Sequence, residues 1–155
     1  MKRIILALVA CTMLAGCAGF KQLESKDMEL QRVVEVPKVS KSILFDRSRM
    51  WYASAFARAN SVIQYENKEN GTIMGNGVVS DSIGMVPHYL KFAVATESKD
   101  GKSRIKITGQ SYSAAGPGDF PVQARIWNNF NGQLTELMDS YEQYLKSSDT
   151  KTDNW

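Results

Sequence analysis

Few side chains in this sequence are suited to catalysis or metal binding. His88 is the only histidine, and the two cysteines are Cys11 and Cys17. A zinc site needs three or four ligands, and a serine nucleophile needs a histidine base with a carboxylate that orients it. Because neither set occurs in a recognisable spacing, the sequence predicts no metal, no cofactor and no enzymatic activity. We expect His88, which follows Pro87, to lie in a loop.

Two glycine-containing segments partly match phosphate-binding motifs. Gly101-Lys102-Ser103 matches the end of a P-loop, but Thr96 stands where that motif needs glycine, and a strand is predicted to follow. Gly75-Asn76-Gly77 has Ser80 where a dinucleotide fingerprint needs its third glycine. We interpret the first segment as part of a hairpin. The second is better explained by a bulge or by close approach of a helix.

The residue with the most definite chemistry is Cys17. Met1-Lys2-Arg3 is a short positive segment, and about 11 apolar or small residues follow it, from Ile4 to Leu14. That run is too short to span a bilayer, which takes roughly 20 residues, and it is typical of a secretory signal. Leu14-Ala15-Gly16-Cys17 resembles the lipobox of bacterial lipoproteins. The resemblance implies attachment of diacylglycerol to the Cys17 sulfur and cleavage after Gly16. The alternative is a soluble secreted protein in which Cys17 is unmodified.

Cys11 also ends a lipobox-like segment, but the apolar run before it is at the lower limit for a signal. We therefore assign residues 1–16 to the signal peptide and residues 17–27 to the lipidated cysteine and a tether. In enterobacterial lipoproteins an Asp after the cysteine favours the inner membrane, so Ala18 implies the outer membrane. We expect a protein that is anchored by acyl chains on the periplasmic side of the outer membrane.

Length and composition predict one small packed domain. The chain has 155 residues, of which 43% are apolar and 23% are charged. Without Lys2 and Arg3 it has 17 basic and 16 acidic residues. This balance excludes the strongly basic surface of a dedicated nucleic-acid binder. We assign the domain to residues 28–147 and a flexible tail to residues 148–155.

Apolar periodicity predicts the element order β-α-β-β-β-β-α. A helix capped by Ser40 or Ser42 is expected to reach about Ala59, with an apolar stripe that includes Trp51. Asn70-Gly71 and Asp100-Gly101 predict hairpin turns. The five strands are expected over residues 28–36, 61–67, 72–82, 89–96 and 103–112. The simplest packing is a curved antiparallel sheet with both helices on one face, a two-layer α+β domain.

The last predicted helix contains a glycine. Asp119 is positioned to cap it, and apolar residues recur at helical spacing from Val122 to Leu145. Gly132 costs about 1 kcal/mol relative to alanine inside a helix. We therefore expect a kink, or a break into a short piece and a longer helix over residues 133–147.

One face of the predicted sheet is left without a helix, and it contains the candidate binding residues. Alternation on the last two strands directs basic and aromatic side chains to that face: Tyr89, Lys91, Arg104, Lys106 and Tyr112. A curved sheet with such residues can bind an anionic or extended partner. They are also what an ordinary solvent-facing strand presents, where charge prevents aggregation.

Several segments resemble one bacterial lipoprotein family. It is described only as a domain of unknown function with a TBP-like fold, and the similarity covers roughly residues 28 to 115. The segments are Val33-Val34-Glu35-Val36-Pro37, Arg49-Met50-Trp51, Ser61-Val62-Ile63-Gln64-Tyr65-Glu66 and Gly71-Thr72-Ile73-Met74-Gly75. The resemblance implies a curved sheet in the order predicted above, but no activity and no catalytic residues.

Two hypotheses for function follow. The first is a non-enzymatic envelope lipoprotein that binds a protein partner or helps an assembly form. The second is a binding module for an anionic envelope ligand, such as a phosphate-bearing glycan or a lipid headgroup, at the open face of the sheet. Neither hypothesis involves a metal or a nucleic acid, and in both the membrane is reached through Cys17.

Overall fold

The computed structural model describes residues 25–56, 63–115 and 118–147. A 3-10 turn, Ser25–Met28, comes first. The elements that follow are β1 (Glu29–Glu35), α1 (Lys41–Ala55), β2 (Ile63–Asn67), β3 (Thr72–Ile83), β4 (Val86–Lys99), β5 (Lys102–Ala114) and α2 (Ala124–Ser147). The predicted order is therefore confirmed. The predictions for the signal peptide, Cys17 and the tail fall outside the described residues.

The five strands form one antiparallel sheet in the order β1-β5-β4-β3-β2. Both helices pack on the face that carries the buried alternate residues of β4 and β5, which confirms the two-layer α+β fold. These core residues are Leu90, Phe92, Val94, Thr96, Ile105 and Ile107. Burial of this face is the main contribution to stability, because alternate apolar side chains lie away from water together.

Helix α1 buries the predicted stripe, with Leu44, Trp51 and Tyr52 almost inaccessible. Ser40 caps it, since its hydroxyl accepts a hydrogen bond from the Ile43 amide. The helix ends at Ala55, earlier than predicted. Phe56, just beyond it, turns its ring into the core.

The hairpin turns differ from the prediction in one respect. Asn67 pairs with Thr72, so residues 68–71 form a four-residue loop rather than a two-residue Asn-Gly turn. Gly71 alone in this loop has a positive φ, at 72°. A Cβ there would lie 2.4 Å from the Ser98 carbonyl oxygen, which excludes any other residue without a shift of the backbone.

Helix α2 is continuous from Ala124 to Ser147, so the predicted break near Gly132 is wrong. Gly132 is on the exposed side, and Phe130 and Leu134 on either side of it are completely buried. Burial of such side chains contributes about 1.5–3 kcal/mol each, which outweighs the cost of one glycine. Asp119 does not cap this helix and instead binds Lys91.

A small set of buried hydroxyl groups joins α1, α2 and the sheet. The Tyr141 hydroxyl lies 2.8 Å from Ser48 Oγ and 2.6 Å from Ser103 Oγ. Tyr52 donates to the Val94 carbonyl oxygen at 3.0 Å. Burial raises the pKa of both tyrosines above the usual value. Both phenols are therefore neutral at physiological pH and act as hydrogen-bonding groups of the core.

Candidate functional site

No element within the described residues covers the sheet face opposite the helices, and we call this face the open face. It is formed by the outward-pointing residues of all five strands. Four large apolar or aromatic side chains on it are more than 40% exposed: Val33, Tyr65, Met74 and Tyr89. Tyr65 and Met74 are direct neighbours, whereas Val33 lies on the edge strand β1 and Tyr89 lies six residues along β4 from Ala95, the residue that faces Met74. Adjacent exposed apolar side chains are a feature of interaction surfaces, and isolated ones are ordinary.

Strand pairing aligns some of these residues in a row across the sheet. Tyr65 lies opposite Met74, which lies opposite Ala95, and Ala95 lies opposite Lys106. Side chains that are directly opposite on antiparallel strands are about 4.5–5.5 Å apart at Cβ. Because the side chain of Ala95 is small, the surface is lower at this residue than at Met74 on one side of it and Lys106 on the other.

The structure places four of the five candidate residues on the open face. Tyr89 and Lys91 alternate with the buried Leu90, and Arg104 and Lys106 alternate with the buried Ile105. Their role in binding stays a prediction.

The placement of Tyr112 on the open face was wrong. A β-bulge interrupts the pairing of β4 with β5. Lys91 pairs with Ser111 and Phe92 with Gly109, so Gln110 of β5 has no partner on β4. Beyond the bulge the two sides of β5 exchange, as a one-residue shift requires. Tyr112 then lies opposite Leu90, on the helix side, where it packs against the core and Phe120. Strict alternation could not reveal this change.

Each basic candidate on the open face has an acidic partner. Lys91 donates to Asp119 at 2.8 Å, and Arg104 donates to Glu97 at 2.5 Å. Lys106 binds Glu29 at 2.6 Å. All six side chains are substantially exposed. The three pairs therefore contribute little to stability, and together they carry no net charge.

A shallow depression of about 210 Å³ lies on the open face beside the β4–β5 turn. Its lining residues are Val33, Glu97, Lys99, Lys102 and Arg104. Lys99 and Lys102 are directly opposite each other across the β4–β5 turn, and like charges in that position repel. The predicted strands end at Thr96 and resume at Ser103, so neither lysine was expected in a strand, although their positions on either side of Asp100-Gly101 could have indicated the pair.

His88 is in strand β4, opposite Ala114, and not in a loop as predicted. Its ring stacks on Tyr112 with a centroid distance of 6.3 Å and an interplanar angle of 17°. Within residues 25–56, 63–115 and 118–147, no three His, Cys, Asp or Glu side chains are grouped so that they could hold a metal ion. None of the helices in the same ranges has the length and apolar character required to cross a bilayer.

The chain belongs to the family called Domain of unknown function (DUF4468) with TBP-like fold, which its residues 31–113 match. A DUF4468 family protein from Bacteroides ovatus has 11% identity and a TM-score of 0.57, over 73% of this chain and 85% of that one. A TBP-like protein from Parabacteroides distasonis has 16% identity and a TM-score of 0.50, over 74% of this chain and 92% of that one. These likenesses establish the fold. No curated protein matches the chain.

Proposed function

We propose that this protein is a lipid-anchored envelope module that binds another protein through the open face. The observation that carries the proposal is the neighbouring pair of exposed side chains, Tyr65 and Met74, on a sheet face that no described element covers and whose basic residues are paired with carboxylates. Protein interfaces combine apolar and aromatic anchors with a polar rim in this way. A highly charged small ligand would instead favour basic residues without carboxylate partners.

The anchor in this proposal is Cys17. The lipobox-like segment before it predicts that Cys17→Ala abolishes acylation and cleavage after Gly16. Fatty-acid labelling and N-terminal mass analysis measure both events. Cys11→Ala is the matched control and should be processed normally. Labelling that survives in Cys17→Ala would contradict the assignment.

The binding surface can be tested by a double substitution on the open face. Tyr65→Ser/Met74→Ser removes two exposed side chains from neighbouring strands and leaves the buried core unchanged. Met50→Ser is the control, because Met50 is 61% exposed on α1. We expect the double variant to lose the complex extracted from native membranes in mild detergent, as measured by native gel mobility. The control should retain it, and loss in both variants or in neither would contradict the proposal.

A second candidate is supported by the facing pair Lys99 and Lys102. Their mutual repulsion is relieved when an anion binds between them, whereas Arg104 in the same depression is already paired with Glu97 and does not contribute. In this candidate function the anionic ligand binds beside the β4–β5 turn and not at the paired Lys91 and Lys106. Lys99→Ala/Lys102→Ala should abolish binding of inorganic phosphate measured by NMR titration, and Lys91→Ala should not. Equal binding by both variants would exclude this site.

A further inference from the structure

One end of the sheet is apolar and extends beyond the helices. The β3–β4 turn is formed by Gly84 and Met85, both with positive φ. Met85 is 98% exposed, and Val86 beside it is 39% exposed. From 80 to 87 every residue except Ile83 is exposed. The sequence has no Asp, Glu, Lys or Arg between Asp81 and Lys91.

A second exposed apolar side chain, Phe120, lies level with Leu90, four residues along β4 from Val86. The backbone of Phe120 exchanges hydrogen bonds of 2.8 and 3.0 Å with Tyr112, next to the last residues of β5. Phe120 is 49% exposed. Asp119 is the only charged residue of the sequence between Tyr112 and Pro121, and Lys91 neutralises it. We call residues 83–87 the apolar end.

The opposite end of the molecule is charged. The β4–β5 turn has Lys99, Asp100 and Lys102, and the β2–β3 loop has Lys68 and Glu69. The start of α1 is at this end too, since its first amide donates to Asp100. Charged groups are costly to remove from water, so of these two described ends the apolar end is the one that contacts an apolar phase at lower cost.

The chain enters the domain on the half of the sheet that leads to the apolar end. Strand β1 begins with Glu29 opposite Thr108, and Met28 packs beside Gly109, on the way to the end of β5. Ser25 is eight residues after Cys17, a separation that spans up to about 29 Å. Glu29 lies level with Ala93 of β4, because Thr108 pairs with both. Val86 is seven residues before Ala93 along β4, a distance of about 24 Å. Cys17 and Met85 can therefore reach the same plane.

We infer that the apolar end rests in the interfacial layer of the membrane to which Cys17 is attached. This inference depends on the lipidation of Cys17 proposed above. The side chains of Met85 and Val86 then enter the boundary between headgroups and acyl chains, as apolar residues of peripheral proteins do. Asp81, opposite His88, and Phe120, beside Tyr112, lie further along the strands and stay outside it. The strands run away from the membrane, the charged end points into the aqueous compartment, and the open face is accessible from the side.

A fluorescence measurement on the mature lipidated protein tests this orientation. Met85→Cys provides one free thiol, because Cys11 is removed with the signal and the Cys17 sulfur is acylated. An environment-sensitive dye on this thiol is compared with the same dye on Glu69→Cys, at the charged end. Both proteins are reconstituted in phosphatidylethanolamine and phosphatidylglycerol vesicles that contain nitroxide-labelled lipid.

We expect the dye at position 85 to be quenched at least twofold by the nitroxide lipid and the dye at position 69 to be unaffected. In a Met85→Cys/Val86→Asp protein the quenching should fall by at least half. Equal quenching at both positions, in protein that floats with the vesicles and shows the acylated mass, overturns this inference and leaves the anchor intact. Absence of the acylated mass overturns both, so the two failures are distinguishable.

Discussion

The ammonium group of Lys91 donates a hydrogen bond of 2.8 Å to the carboxylate of Asp119. Asp119 comes from the segment between β5 and α2, so this contact ties that segment to the open face. It also removes the free positive charge that the sequence predicted at Lys91. The same compensation occurs at Arg104 and Lys106, and it favours a protein partner over an anion at these positions.

The Lys91–Asp119 pair predicts the effect of reversing one charge. Lys91→Glu should lower the free energy of unfolding by about 0.5–1 kcal/mol, because an exposed attraction becomes a repulsion. The swapped variant Lys91→Glu/Asp119→Lys should recover most of the loss. Urea denaturation at low salt measures the unfolding free energy of both variants. Their differences from the wild-type value should shrink at 1 M salt, where charges more than about 3 Å apart are screened. Equal stability of all three proteins at low salt would contradict the pairing.

Trp51 predicts the largest loss of stability on truncation. Its side chain is 1% exposed, contacts the ring of Tyr141 edge-on and donates to Ser140 Oγ at 2.9 Å. Trp51→Ala should therefore destabilise the domain by about 3–5 kcal/mol. Met50→Ala on the exposed side of α1 is the control and should change stability by less than about 0.5 kcal/mol. A Trp51→Ala midpoint equal to the wild-type value would refute the packing described here.

The buried tyrosines predict a loss of stability in alkali. Burial raises the folded-state pKa of Tyr141 and Tyr52 above the unfolded value, which is about 10. The folded state then binds these protons more tightly, so their contribution is complete below about pH 10 and is lost as the pH rises further. Tyr141→Phe should show a shallower decline of unfolding free energy between about pH 10 and 12. The control Tyr65→Phe, at an exposed tyrosine, should show the wild-type dependence of unfolding free energy on pH. The same wild-type dependence in Tyr141→Phe would contradict a raised folded-state pKa for Tyr141.

Gly132 predicts a stabilising substitution. A Cβ at this position has no heavy atom within 4 Å, and the helix continues on both sides. Gly132→Ala should raise the unfolding free energy by up to about 1 kcal/mol, because alanine is the better helix former. Gly77→Ala should act in the opposite direction, since its Cβ would lie 2.4 Å from the buried ring of Phe92. Thermal denaturation distinguishes the two outcomes, and a destabilised Gly132→Ala would argue against a continuous α2.

Local patterns in the sequence determine most of this fold. Strict alternation in β4 identified Leu90, Phe92 and Val94 as core residues, and helical spacing identified the stripe around Trp51. The errors arise where tertiary contacts prevail over local preference. Core contacts on both sides of Gly132 keep α2 continuous, and a bulge at Gln110 reverses the side of Tyr112.

The candidate site was less predictable than the fold for a related reason. Alternation shows which side of a sheet Lys91, Arg104 and Lys106 occupy, but not which side chains they meet. Their partners come from the same strand pair, from the edge strand β1 and from the segment before α2. Glu97 faces Arg104 across the predicted Asp100-Gly101 turn, so this pair could have been derived from the sequence. The Lys106–Glu29 and Lys91–Asp119 pairs depend on strand order and on the path of the segment before α2, which no local pattern encodes.

Site-specific photo-crosslinking in native membranes tests the binding role of the open face most directly. A photoreactive amino acid replaces Met74 on the open face or Met50 on the exposed side of α1, two methionines that are both accessible. The account predicts a discrete protein adduct from position 74 that is lost when Tyr65→Ser is added, and no such adduct from position 50. An adduct from position 50 with none from position 74 would contradict the proposed function.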